Sequence, residues 1–156
     1  METAKFLEKY PENKKFLNKL RLKKPKNLDE KFHQLHDEVF ERTDCLTCAN
    51  CCKTTSPIFT DTDIDRIAKH LKIRPTQLIA NHLHVDEDNH YVLNDSPCVF
   101  LDAENHCRIY SVRPRACAEY PHTNRRRMVQ LLNLTAENTR ICPAVFEIVE
   151  KLKEVY

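Results

Sequence analysis

Apolar side chains at Leu28, Phe32, Leu35, Val39 and Phe40 recur three and four positions apart, the spacing that lines one face of an α-helix. They predict an amphipathic helix that ends just before Cys45, with Asn27 placed to cap its start. Upstream, the pattern predicts two shorter helices, one around Thr3 to Lys9 and one opened by Pro11 at its first position, with Pro25 separating the second from the helix at Leu28. At the other end, Val145, Ile148, Val149, Leu152 and Val155 form a stripe behind Pro143. A terminal helix should start there and pack its apolar face on the N-terminal helices.

Between these ends the periodicity shortens. Thr60-x-x-Asp63 is a capping-box pattern ahead of Ile64, Ile67, Ala68 and Leu71, and Pro75 opens a further short helix through Leu78 and Ile79. Pro57 to Phe59 is an extended candidate, and His84-Val85 and Tyr91-Val92-Leu93 flank a polar turn from Asp86 to Asn89, which predicts a hairpin. Cys98 to Leu101 and Cys107 to Tyr110 read as two more short strands around Asp102 to His106. Pro114 favours a brief helix carrying Cys117, and Met128 to Leu134 fits strand or helix equally.

Composition narrows the chemistry. The 156 residues include no glycine. Phosphate loops, dinucleotide-binding turns and nucleophile elbows all need glycine for positive φ or close backbone approach, so these three motifs are excluded and nucleotide-driven chemistry is not expected. Left-handed positions are expected at Asn50, Asn89, Asn94, Asn105 and Asn138 instead. The net charge of +2 gives no global attraction to nucleic acid or membrane, although residues 1 to 26 hold nine Lys/Arg against three Glu. That arm reads as the solvated face of docked helices, and Arg125-Arg126-Arg127 as a solvated loop. The opening residues lack an apolar export segment, which predicts a reducing, cytoplasmic setting where disulfides rarely persist.

Eight thiols therefore need another purpose. Four crowd into Cys45-Leu46-Thr47-Cys48-Ala49-Asn50-Cys51-Cys52, and four follow at Cys98, Cys107, Cys117 and Cys142. As thiolates they would repel one another unless a cation held them, so metal ligation is the reading. Two intervening residues let one backbone turn direct both sulfurs at one ion, which suits Cys45 with Cys48 and Cys48 with Cys51. Adjacent side chains diverge, so Cys52 is expected to serve a second metal or another edge of a cluster. Gaps of eight and nine residues between Cys98, Cys107 and Cys117 do not match a zinc ribbon. The Cys-Pro at 142 and 143 favours an iron–sulfur cluster modestly, while two four-cysteine zinc sites would use every thiol, and the metal stays open between zinc and iron–sulfur. Arg108, Arg113 and Arg115 are candidates to offset thiolate charge, and Tyr110 and Tyr120 to hydrogen-bond beside sulfur. His82, His84, His90 and His106 read as surface or strand histidines rather than ligands.

The cysteine run, followed by Cys98-x-Phe100-Leu101-Asp102, Cys107-x-Ile109-Tyr110 and Arg113-Pro114-x-x-Cys117-x-x-Tyr120-Pro121, resembles the CxxCxxCC cysteine-cluster family, also called YkgJ-like, of zinc- or iron-chelating domains. The resemblance spans about residues 45 to 143 and implies that Cys45, Cys48, Cys51, Cys52, Cys98, Cys107 and Cys117 are metal-site residues, with Cys142 matching a later cysteine. Relatives commonly carry glycine after the second cysteine, where this chain has Ala49, so either Asn50 substitutes as the left-handed residue or the turn is tighter. Similar modules in flagellin lysine methylases imply methyl-transfer chemistry in some relatives. The expected fold is α+β: a small metal-stabilised domain with amphipathic helices at both ends and short β-hairpins around the cysteine cluster. Residues 1–44 would form a helical extension and 45–156 the cysteine-cluster domain. The expected function is metal binding, with a zinc-folded adaptor for protein or nucleic acid and an iron–sulfur or methyl-transfer-associated enzyme as alternatives. No acid, base or nucleophile constellation stands out, so the reading leans away from an enzyme, with a metal ion as partner, no membrane, and no nucleic-acid or protein partner assigned.

Overall fold

Pro11 lies inside one continuous helix rather than opening a second. The computed structural model describes residues 2–156, and in chain order they form α1 (Glu2–Lys23), α2 (Leu28–Phe40), α3 (Cys45–Cys48), α4 (Asn50–Thr54), α5 (Asp61–Leu71), α6 (Pro75–His82), β1 (Leu83–Val85), β2 (Tyr91–Leu93), α7 (Arg115–Glu119), α8 (Leu132–Asn138) and α9 (Pro143–Val155). Two compact units result, one of residues up to Asp44 together with Pro121–Tyr156, the other Cys45–Tyr120. Among the described residues no helix is long and apolar enough to cross a membrane.

The first unit is helical. A proline inside a helix loses a backbone bond and crowds the preceding turn, at about 3 kcal/mol. The helix survives because α1 is anchored on both sides of Pro11: Phe6 stacks at 4.6 Å on Phe146 of α9, while Leu17 and Leu20 are buried in the core. Each such side chain contributes about 1.5–3 kcal/mol, which outweighs the local cost. The expected stripe on α2 is buried at Leu28, Phe32, Leu35 and Val39, and that on α9 at Val145, Ile148, Val149 and Leu152, whereas Val155 is exposed. The two faces share one core with α1 and α8. Asn27 makes no capping bond; its Oδ1 accepts the Tyr156 hydroxyl at 2.6 Å. The ambiguous stretch resolves as a 3-10 turn at Met128–Leu131 running into α8, burying Met128 and Leu132 four residues apart.

In the second unit the capping box forms as expected: Asp63 N–H donates to Thr60 Oγ1 at 3.1 Å, and Thr60 N–H to Asp63 Oδ2 at 3.0 Å. The hairpin pairs Leu83 with Leu93, His84 with Val92 and Val85 with Tyr91. Phe59 adds only a single bridge to Tyr91. The two further strands do not form; one antiparallel bridge, Leu101 to Cys107, stands in their place. The chain there is curled into turns, because Leu101 N–H donates to Cys98 O at 3.1 Å and the Asp102 carboxylate accepts the amides of Glu104 and His106 at 2.9 Å. Phe59, Ile64, Ile67, Leu78, Leu83, Leu93, Phe100 and Ile109 form the core, with Cys98 and Cys107 packed against it.

Asn89 and Asn105 adopt positive φ as expected, but among the described residues Asn50, Asn94 and Asn138 do not, and Lys24, Ala49, Lys72, His122 and Arg127 do. At Lys72 the reason is visible. It ends α5 in a left-handed turn whose amides, Lys72 N–H to Lys69 O and Ile73 N–H to Ala68 O, satisfy the last carbonyls of the helix.

Candidate metal centre

The cysteine run folds as a helical turn, a reversal and a second helical turn. Cys45 and Cys48 lie on α3, whose last turn closes through Ala49 N–H to Cys45 O at 2.7 Å, and Cys51 and Cys52 lie on α4. The reversal is Ala49 itself, at φ 46° and ψ 18°, and Asn50 already belongs to α4. The left-handed residue is thus one place earlier than the sequence suggested, at the position where the resembled family commonly has glycine. An L-residue there costs about 1–2 kcal/mol, and glycine returns about 0.4–1 kcal/mol of that through greater freedom in the unfolded chain. Ala49→Gly is therefore expected to stabilise the protein by about 0.5 kcal/mol, read as a raised thermal midpoint; a lowered midpoint would show that the buried methyl matters more than the strain.

Hydrogen bonds join the two halves of the cysteine pattern. Cys98 N–H donates to Cys52 O at 2.8 Å, and Asn105 Nδ2 donates to Leu46 O at 2.7 Å. Cys117 arrives on α7, which is stapled to α5: the buried Asp63 carboxylate accepts Arg115 N–H at 3.2 Å and Arg66 Nη2 at 2.7 Å, and Arg66 reaches on to Val112 O at 3.3 Å and Arg113 O at 2.9 Å. Asp63 and Arg66 were missed as site residues by sequence reasoning. Their i, i+3 spacing marked a local pair, but nothing local pointed to residues 112–115.

The sulfurs of Cys52, Cys98, Cys107 and Cys117 then act on one another. Each of the six pairs among them contributes to holding thiols above their ordinary range. Desolvation by the surrounding protein pushes Cys117 up to about 12, although the residue keeps an exposed surface, and Cys52, Cys98 and Cys107 add to it. Burial also raises Cys98 and Cys107, against the amides of Phe100 and Leu101 that donate to Cys98 sulfur and the amide of Ile109 that donates to Cys107 sulfur. Cys52 is raised furthest, first by a hydrogen bond with Cys51 and then by burial. The adjacent thiols of the doublet therefore touch each other rather than diverging. Among the described residues no group of three or more Cys, His, Asp or Glu side chains is drawn together closely enough to hold an ion as it stands. The four thiols are near enough to raise one another's proton affinity, and they would repel one another once ionised.

Arg113 and Arg108 lower Cys107, and Arg113 lowers Cys117, so both guanidinium groups act on the thiols. Arg113 also lies 4.2 Å over the ring of Tyr110, which is 64% exposed, and Arg108 bonds Val99 O. The Arg115 side chain pairs with Glu119 at 2.8 Å, and Tyr120 closes α7. Of the histidines, His82 packs edge-on against Phe100, His84 bonds Asn94 Oδ1 at 2.8 Å, His90 follows the hairpin turn and His106 sits beside Asp102 and Glu104.

A family model, CxxCxxCC, described as "putative zinc- or iron-chelating domain", matches residues 44–143, well over half of the sequence. The chain belongs to the CxxCxxCC family. No curated protein and no solved structure matches it. The CxxCxxCC match takes in all eight cysteines, although Cys142 falls in the first unit, where it precedes α9 and packs on the helical core.

Proposed function

We propose that this CxxCxxCC domain chelates zinc or iron through thiolates, with Cys52, Cys98, Cys107 and Cys117 as one four-sulfur set. Cys45, Cys48 and Cys51, on the same helical reversal, supply thiols for a second ion or for further edges of a cluster. The observation that carries this is the bonding of the two halves of the family's motif to each other, Cys98 N–H to Cys52 O and Asn105 to Leu46 O, with Cys117 brought in by the Asp63 clamp; the four thiols also raise one another's proton affinity. Burial and repulsion oppose ionisation of these thiols, and a divalent cation reverses both effects by binding the thiolates and releasing their protons. The donor set fits such an ion. All-sulfur sites suit zinc and iron alike, the amides of Phe100, Leu101 and Ile109 already point at sulfur, and Arg108 and Arg113 offset the net negative charge left by four thiolates around one dication. When bound, the ion supplies cross-linking of segments far apart in the chain.

Elemental analysis and visible absorption of anaerobically purified protein test the reading. Colourless protein with bound zinc supports simple chelation, a brown sample containing iron and sulfide makes the group an iron–sulfur cluster, and protein devoid of both metals defeats the proposal. Cys52→Ser is expected to lower the metal-to-protein ratio, since Cys52 is the one member of the set from the first half of the motif. Full stoichiometry in that variant would remove Cys52 from the ligands.

A further inference from the structure

Seven of the thirteen residues from Lys14 to Lys26 are Lys or Arg, and none is Asp or Glu. All seven are exposed. Lys15, Lys19 and Lys23 stand four residues apart on one row of α1, at intervals of about 6 Å along the helix. Among the described residues, Lys15, Lys19, Arg21, Lys23, Lys24 and Lys26 have no carboxylate at ion-pair distance, whereas Lys9, Lys151 and Lys153 of the same unit do. The row continues past the helix. Asp29 accepts the amides of Arg127 and Met128 at 2.8 Å, which brings the exposed Arg126 and Arg127 to the start of α2, close in sequence to Lys26; the acids at that edge are Asp29, occupied by those amides, and Glu30.

The bland explanations do not cover this. Cations favour a helix C-terminus, which accounts for Arg21 and Lys23 but not for Lys19, about one turn before the helix end, or Lys14 and Lys15, more than two turns before it. A solvated face normally interleaves both signs, as the first half of α1 does with Lys5, Glu8, Lys9 and Glu12. The basic excess is also confined to this unit, which has 17 Lys/Arg against 13 Asp/Glu, while the second unit has 8 against 10. A bilayer would need an apolar face to bury, and that of α1 is already spent on Phe6, Leu17 and Leu20, leaving Leu22 alone among the cations.

We infer that this ridge binds the phosphate backbone of a nucleic acid without reading its sequence. Charges on one strand of a duplex recur about every 3.4 Å of axis, so lysines at about 6 Å meet roughly every second phosphate, on a helix that needs no ordering to present them. The ridge residues are lysines and arginines with no exposed aromatic ring among residues 14 to 26, so they offer phosphate contacts rather than an aromatic stacking platform.

The test titrates full-length, metal-loaded protein into fluorescent mixed-sequence RNA and DNA oligonucleotides over a range of salt. Affinity should fall linearly with salt on logarithmic axes, and the triple variant Lys15→Gln, Lys19→Gln, Lys23→Gln should bind about tenfold or more weakly, with a slope shallower by about 0.7–0.9 for each lost contact. The variant should keep its circular dichroism and metal content, since the three side chains are exposed. Lys69→Gln, Lys72→Gln, Arg74→Gln in the second unit should leave affinity unchanged. Binding that survives loss of the ridge, no binding at about 50 mM salt, or stronger binding to phosphatidylserine vesicles overturns the inference and leaves the metal reading untouched.

Discussion

Complete removal of metal under reducing conditions is expected to unfold the cysteine-bearing segments Cys45–Thr54 and Cys98–Tyr120 while the helices of the first unit persist. Beyond Phe100 and Ile109, which reach the core, and the Asp63–Arg66 bonds to residues 112–115, the segments carrying thiols have little to hold them. The helices α3, α4 and α7 are four or five residues long and bury no side chain, and a helix that short does not persist on local bonding. A structural zinc site supplies about 10–16 kcal/mol in small domains, comparable with the 5–15 kcal/mol net stability of a typical fold. The first unit has its own core in Phe32, Val39, Val145, Ile148, Val149 and Leu152, each completely buried. Hydrogen exchange before and after chelation should show protection lost in the two thiol segments and kept in α2 and α9. Unchanged exchange and an unchanged melting curve in metal-free protein would refute the dependence.

Asp63→Ala is expected to destabilise the second unit by about 2–4 kcal/mol, through loss of a cap and of charge-assisted bonds whose donors are left unpaired. Asp63 is 2% exposed and accepts from Thr60 N–H, Arg66 and Arg115 N–H, so its removal leaves amides at the start of two helices without a partner. Burial alone would raise this carboxyl, but the Thr60 amide, Arg66, the Thr60 hydroxyl and the Arg115 amide together hold it below its ordinary value. As pH falls the unfolded chain takes up the proton first. The carboxylate's contribution is therefore complete above about pH 4 and is lost as pH drops through the lower folded value. Denaturant melts of wild type and Asp63→Ala should differ fully at neutral pH and converge in acid, with Asp63→Asn intermediate because it keeps an acceptor but not the charge for Arg66. Because α7 carries Cys117, the alanine variant should also bind metal more weakly. A neutral-pH difference below about 0.5 kcal/mol would mean the clamp contributes no more than an ordinary surface residue.

Much of the fold was legible because its cause is local. The buried stripes on α2 and α9, the Thr60–Asp63 capping box, the start of α6 at Pro75 and the β1–β2 hairpin each follow from spacing within a few residues. Three features were not legible, and each depends on a distant partner. Pro11 stays in helix because Phe146 and the helical core hold α1 on either side of it. Cys98–Leu101 and Cys107–Tyr110 have strand-like composition, yet the Asp102 turn and the bonds of Cys98 to Cys52 curl them toward the first cysteine run. Ala49 rather than Asn50 goes left-handed, since Asn50 is needed as the first residue of α4.

By itself the sequence determined the chemistry available: eight thiols, no glycine for phosphate loops, and a motif order that matches one family of metal-chelating domains. Only the tertiary structure decided which thiols are neighbours. Cys98 and Cys117, 46 and 65 residues beyond Cys52, are carried to its side of the fold by the Cys98–Cys52 backbone bond and the Asp63–Arg66 clamp, and such long-range bonds have no signature in local spacing.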